Sequence, residues 1–240
     1  MDIPSHYKIF KVETCDSTMD LCTNLMDREG FSDDQTCVVL SQSQIKGRGR
    51  RGRSWKSEAG NFYLSLGFEC SKKKEIAQLS FVAALAAGRS VLSYQQDIGL
   101  AYKWPNDLFI KDKKLGGILI EAKDKKTIVG IGLNIVTSSS FVGYDATNLK
   151  DNGVETTPED FLKVFLHYFD FYKTQWLEKG FENIRNEWTA CAWNMNELIN
   201  VKDGRGRLIK GIFKGIDPKG GLIIQQAETE EILYSAQIVR

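Results

Sequence analysis

Apolar positions recur along this chain with two periods, and the change from one to the other marks out its elements. Residues 7–13 (YKIFKVE) alternate, as a half-buried strand does. From about Asp16 the spacing becomes helical through Leu21, Leu25 and Met26, and Gly30 ends that pattern. Residues 36–44 (TCVVLSQSQ) are β-branched and read as a buried strand, and residues 61–69 as another. Residues 76–96 form the longest apolar helical pattern, which predicts the central helix of the fold. Residues 100–107, 115–123 and 127–136 give three further strands. A strong helix start follows, with Thr157 as cap, Pro158 at the first helical position and Asp160 three residues after the cap. Beyond about Asn196 the runs become short and alternating, separated by Asp203-Gly204 and Asp217-Pro-Lys-Gly-Gly turns. The pattern therefore divides the chain into a mixed α and β unit, residues 1–195, and a small β module, residues 196–240, too small to stand comfortably alone. There is no fixed-period repeat and no long linker.

Composition narrows the class. The chain has 240 residues, 42% hydrophobic and 26% charged, as a soluble globular protein does. Its net charge of +1 argues against a surface given over to nucleic acid, although a local basic patch remains open. Five cysteines, an odd count with no CxxC pair, indicate neither a disulfide framework nor a zinc ribbon. With only His6 and His167, a His-rich metal site or a Ser-His-Asp triad has few candidates. No apolar run is read as approaching the roughly 18 residues that span a bilayer. The N-terminus lacks a basic region followed by an apolar one, so no secretory signal is expected. These readings predict a reduced, cytoplasmic protein with no membrane partner.

The segment of residues 44–56 is chemically the most unusual. Lys46, Arg48, Arg50, Arg51, Arg53 and Lys56 succeed one another with no acid until Glu58. Gly47, Gly49 and Gly52 let backbone approach a ligand, and forked guanidinium groups suit phosphate or carboxylate. Such concentrated charge repels itself, which predicts a loop that is mobile without an anion; the plain alternative is a solvated charge run. The glycines spell GxGxxG, but a strand follows instead of the helix that a dinucleotide site requires. No GxxxxGK[ST] occurs, and an RGG-type RNA arm would be longer and terminal.

Four further places carry candidate chemistry. Pro105 ends its strand and leaves Asn106 and Asp107 at the edge, which alone could be a turn. Lys114, Gly116 and Gly117 open the next strand with a cation and a glycine pair, although residues 111–117 could be only a polar hairpin turn. Gly130, Gly132 and Asn134 interrupt a buried strand, where glycine marks close approach of backbone or ligand. Ser17 and Asp20 make a capping box that by itself explains both, yet a helix N-terminus bearing Ser17 and Thr18 is also a ligand site. The Gly204–Arg207 echo of the basic loop reads as a turn. No nucleophile-and-base pair emerges. The constellation suits nucleotide-dependent activation of a carboxylate, where positioning and charge neutralisation supply most of the catalysis.

GRGRRGRSW at 47–55, KWPNDL at 103–108, KLGGILIE at 114–121 and GIGLNI at 130–135, in that order, closely resemble the biotin protein ligases. The resemblance spans essentially the whole chain. It implies an α+β fold: a mixed seven-stranded sheet with flanking helices, followed by a small SH3-like β-barrel. It implies that biotin and MgATP give biotinyl-5′-AMP, and that a lysine of a biotin carboxyl carrier domain then displaces AMP. Carried over residue by residue, Ser17, Thr18 and Gln44 would bond the biotin ureido ring, with Gly47 beside them. Arg48 and Arg50 would neutralise carboxylate and phosphates, supported by Arg51 and Arg53. Trp55 would pack near the adenine or the biotin chain. Lys114 would hold the biotin carboxylate and then the adenylate phosphate, while Gly116, Gly117 and Gly132 admit backbone approach. Asn106 and Asp107 would form the polar pair at the reacting centre, Asp107 binding Mg2+ or taking a proton from the incoming lysine. Asn134 would sit near the metal and ribose. Two departures stand out: Met19 where the family commonly has Asn, and a first strand beginning by about Tyr7. The second predicts a ligase without operator DNA binding. Related ligases often dimerise, which leaves a homodimer open, since the sequence does not fix the oligomeric state. The alternatives are a lipoate ligase, a phosphate-tracking nucleic-acid module and a non-catalytic biotin binder.

Overall fold

The alternating residues at the start of the chain build β1 (Tyr7–Cys15), which runs parallel to β2 (Thr36–Gln44). The computed structural model describes residues 3–70, 72–138 and 145–239. Between these two strands lies α1 (Thr18–Glu29), stopped where Gly30 takes a left-handed conformation at φ 58°. The chain continues through β3 (Phe62–Glu69), α2 (Leu79–Tyr94), β4 (Leu100–Lys103), β5 (Asp107–Ile110), β6 (Lys113–Lys123) and β7 (Lys126–Leu133). These strands form one seven-stranded sheet in the order β1-β2-β3-β7-β6-β5-β4. All pairings except β1 with β2 are antiparallel, so the sheet is mixed. The run read as a single strand over 100–107 is two strands. Its turn at Trp104–Asn106 lets β5 fold back on β4, and Lys111 and Asp112, at φ 48° and 65°, turn the chain again into β6.

One face of the sheet is covered by α2, α3 (Pro158–Lys179) and α4 (Glu182–Ala190). Buried rings fill this layer, with Phe62 set edge-on to Phe161 at 5.0 Å and Phe81 edge-on to Trp188 at 5.2 Å. Each such ring contributes up to about 3 kcal/mol on leaving water. Helix α3 starts as its cap predicts, the Asp160 amide donating to Thr157 Oγ1 at 3.1 Å. Helix α4 carries only Ile184 and Trp188 as buried residues, too thin a stripe to stand out in the sequence. One expectation is corrected. The stretch Glu75–Tyr94 is long and apolar enough to cross a membrane by length and composition, and most of it is buried inside the protein as a core helix.

The tail forms β8 (Leu198–Asp203), β9 (Leu208–Ile216), β10 (Leu222–Gln226), β11 (Thr229–Leu233) and β12 (Ala236–Val239). They make an antiparallel sheet in the order β11-β10-β9-β8-β12. Among the described residues its ladder stays open at β11 and β12, so the expected SH3-like module is a five-stranded antiparallel sheet that does not close into a complete barrel. Strands of five and four residues at the two ends offer little edge with which to close. The module leans on the main layer: Trp104 Nε1 donates to Gly220 O at 2.9 Å, and Gln78 Nε2 donates to Pro218 O at 3.2 Å. Gly220 sits at φ 87° with the Phe81 ring only 2.8 Å from where a Cβ would be.

Candidate active site

The other face of the main sheet carries a cleft of about 620 Å³, and its floor is set by strand register. Lys103 of β4 pairs with Asp107 of β5, Asp107 with Gly117 of β6, Gly117 with Gly132 of β7, and Gly132 with Tyr63 of β3. Residues paired in this way share a face. The row therefore offers a cation and an acid, then two positions of bare backbone. Trp55 lies on the bare strip, since a Cβ at Gly132 would stand 2.6 Å from its ring and one at Gly117 3.5 Å from it. Gly116, one residue out of phase, serves the packing of β6 on β7: its Cβ would meet Gly132 O at 2.7 Å.

Lys114 and Asp107 form an ion pair at 2.7 Å with side chains only 15% and 18% exposed. The Lys114 ammonium also lies 5.4 Å from the centre of the Trp55 ring. Asn106 is held by β6, donating from Nδ2 to Ile118 O at 2.6 Å, and its Oδ1 accepts from Arg50 at 3.2 Å. Asn134 does not reach the cleft. It is buried and donates to Thr147 O at 3.0 Å, bracketing the segment after β7.

At the opposite wall, the start of α1 presents Ser17 and Thr18, both buried. Gln44 Oε1 accepts from the Thr18 amide at 2.9 Å and from its hydroxyl at 3.0 Å, while Gln44 Nε2 donates to Ser57. The capping-box reading of Ser17 and Asp20 gives way here. Ser17 makes no side-chain cap bond; its hydroxyl accepts from Arg48 at 3.0 Å, and the Asp20 carboxylate also goes to Arg48. Met19 packs on Gly130, its sulfur 2.7 Å from where a Cβ would be.

The basic segment folds over this floor. Gly47 lies under it, where a Cβ would strike Trp55 O at 2.4 Å, and the Trp55 amide donates to Gly47 O at 2.8 Å. Arg48 meets both oxygens of Glu121 and both of Asp20, and these pairs, Glu121 foremost, raise its guanidinium pKa. Arg50 is pushed down by burial and by Arg51 and Arg53, with Asp107 acting against them. Arg51 is exposed at φ 58°, and Arg53 donates to Gln237 of β12 at 2.6 Å. The loop expected to be held by a ligand anion is thus already closed on protein carboxylates.

Of the residues singled out from sequence, Ser17, Thr18, Gln44, Arg48, Arg50, Arg51, Arg53, Trp55, Asn106, Asp107, Lys114, Gly117 and Gly132 line the cleft, whereas Gly47, Gly116 and Asn134 stand behind it. Sequence reasoning passed over Lys103, buried with its ammonium 4.8 Å from the Trp193 ring, although the KWPND run contains it. It also passed over Ala236, Gln237 and Ile238, which close one end of the cleft and carry no recognisable signal. Among the described residues no group of three or more His, Cys, Asp or Glu could hold a metal. Asp107 is the one acid among the described residues that line the cleft, and its carboxylate pairs with Lys114 at 2.7 Å.

A model described as the biotin/lipoate A/B protein ligase family matches residues 12–137, and one described as the biotin protein ligase C terminal domain matches residues 195–240. A biotin–[acetyl-CoA-carboxylase] ligase of Paracoccus denitrificans is 35% identical over 213 residues, covering 83% of this chain and 88% of that protein. The bifunctional ligase/repressor BirA of Escherichia coli (strain K12) is 28% identical, over 84% of this chain and 65% of BirA. A biotin protein ligase from Aquifex aeolicus, solved in complex with biotin and ATP, superposes with a TM-score of 0.83 at 25% identity, covering 97% of this chain and 99% of the other. The ligase from Leishmania major in complex with biotinyl-5-AMP superposes at 0.68 with 27% identity, covering 95% and 99%.

Proposed function

Because the chain belongs to the biotin/lipoate A/B protein ligase family, and within it to the biotin protein ligases, we propose that it joins biotin to ATP and then to a protein lysine. In the first step a biotin carboxylate oxygen attacks the α-phosphorus of ATP, pyrophosphate leaves, and biotinyl-5′-AMP remains. In the second, a lysine amine of the biotin carboxyl carrier domain of a carboxylase attacks the acyl carbon, and AMP leaves. The observation that carries this reading is the Lys114–Asp107 pair at 2.7 Å beside the bare Gly117–Gly132 strip, under a loop of arginines.

Each residue has a role that its surroundings support. Ser17, Thr18 and Gln44 form a buried polar cluster suited to the ureido ring. Lys114 would hold the carboxylate while charge develops on phosphorus, and Arg50 would face the phosphate oxygens. Asp107, freed from Lys114 once the phosphate arrives, would take the proton of the incoming amine. Mg2+ bound on the phosphates would supply further neutralisation of charge. Trp55 and the closed loop would keep water from an acyl phosphate that hydrolyses readily. We divide the chain at 195/196, supported by the change of sheet between Leu133 and Leu198.

Biotin-dependent exchange of labelled pyrophosphate into ATP tests the first step, with lipoate and no added acid as controls. Exchange with biotin alone is expected; exchange with lipoate alone, or none, would overturn the proposal.

A further inference from the structure

Arg48 has five N–H donors, and it makes five hydrogen bonds: two to Glu121 at 2.9 Å, two to Asp20 at 2.7 Å and one to Ser17 at 3.0 Å. Nothing remains on its fork for a ligand anion. One guanidinium between two carboxylates also leaves an excess negative charge at this point, which disfavours a phosphate there. Asp20 belongs to the first turn of α1, two residues beyond Thr18, and Glu121 belongs to β6, four residues beyond Gly117. The contact therefore joins the basic loop to the α1 wall and to the β6 floor of the cleft. We propose that Arg48 is a positioning residue, not a ligand-binding one, and that Asp20 and Glu121 are the clasp that holds the basic loop shut over the adenylate. This rests on the ligase reading and deepens it: retention of the intermediate becomes a property of three residues outside the reacting atoms.

Exposure makes the clasp reversible. The side chains of Arg48, Asp20 and Glu121 are 31%, 57% and 43% exposed, so water and salt compete for the pairs. Two bidentate pairs on one guanidinium nonetheless fix geometry better than isolated surface pairs do. A loop held in this way opens by exchanging its bonds for water, without unfolding the sheet beneath it.

The test compares wild type with Asp20→Asn, Glu121→Gln and the double variant. Enzyme loaded with biotinyl-5′-AMP and stripped of free ATP and biotin is followed for release of the intermediate and for labelling of bystander lysines. Release from the double variant should be on the order of tenfold faster. Wild-type release should accelerate with salt, and that response should vanish in the double variant, which a merely structural role would not produce. Release equal to wild type, with the salt response intact, would overturn the clasp. Ligand-free protein gives a second readout in the rate of tryptic cleavage within residues 46–53. Faster cleavage in the variants supports the clasp and equal cleavage refutes it, whether or not wild type shows biotin-dependent exchange. Loss of exchange in wild type would therefore count against the ligase reading alone. Should the double variant fail to fold, the single variants carry both readouts.

Discussion

Gly132→Ala adds one methyl group to the floor of the cleft, and its consequences can be worked out from distances. The new Cβ would stand 2.6 Å from Trp55 Cε2, 2.7 Å from Nε1 and 2.9 Å from Cζ2. Carbon contacts settle near about 3.5–4.0 Å, so the indole must retreat by roughly 1 Å. Gly132 lies in regular register opposite Tyr63 and Gly117, and its backbone accepts alanine. Replacing a strand glycine returns about 0.5–1 kcal/mol through chain entropy, so the melting temperature should hold. The strain falls on loop closure, where overpacking costs about 1–3 kcal/mol. Complete expulsion of the indole bounds the loss at about 4–6 kcal/mol, from some 150–250 Å² at about 25 cal/mol per Å². Trp55 is only partly buried, so the smaller figure applies. Apparent ATP affinity in the exchange assay, and retention of the intermediate, should therefore fall roughly 5- to 150-fold. Trp55→Phe in the same chain should restore part of the loss by removing the clashing ring atoms. A folded Gly132→Ala protein with wild-type ATP dependence would refute the placing of Trp55 on the floor.

Four other outcomes follow. Lys114→Ala should reduce exchange by about 10²-fold or more with the fold intact by circular dichroism, because it removes a positioned charge from where charge develops; near-normal turnover would remove Lys114 from the mechanism. Asp107→Asn should slow transfer to the carrier lysine more than exchange, read by comparing the two rates on one preparation. Burial pushes the Tyr63 phenol up to about 12, so its folded pKa exceeds its unfolded one. Stability from that group is fully present below pH 10 and lost as pH rises from 10 toward 12, which thermal melts across that range will register. Thr157→Ala removes the cap of α3 and should cost about 0.5–2 kcal/mol in a urea titration, with exchange unchanged.

The elements most legible in the sequence are those whose signal lies along the chain. The alternation of β1, the left-handed glycine after α1 and the Thr157–Asp160 cap are local facts, and the structure has them where the pattern predicts. The run 100–107 was harder, because Pro105 reads as an end to a strand and not as a turn between two short ones. The cleft was legible in its cations and glycines and illegible in what they touch. Arg48 finds its acids 28 and 73 residues away, separations that no spacing rule reports. Ser17 and Asp20 show the same limit from the other side: a local rule explained them fully, and a distant arginine took both. The residues from β12 gave no sign at all, since their part depends on how one sheet rests on another.

The floor row bears on how such a cleft can vary by descent. Lys103, Asp107, Gly117, Gly132 and Tyr63 come from five strands and meet only through pairing. Inserting or deleting one residue inside β6 or β7 would turn the strip's glycine on that strand to the helix-covered face, and the same change inside β5 would turn away Asp107. Length changes are then confined to the turns, such as those at Lys111–Asp112 and Asp124–Lys125, and the cleft can drift only by exchange of one side chain for another. Among homologues, strand lengths between these turns should hold constant while turn lengths differ.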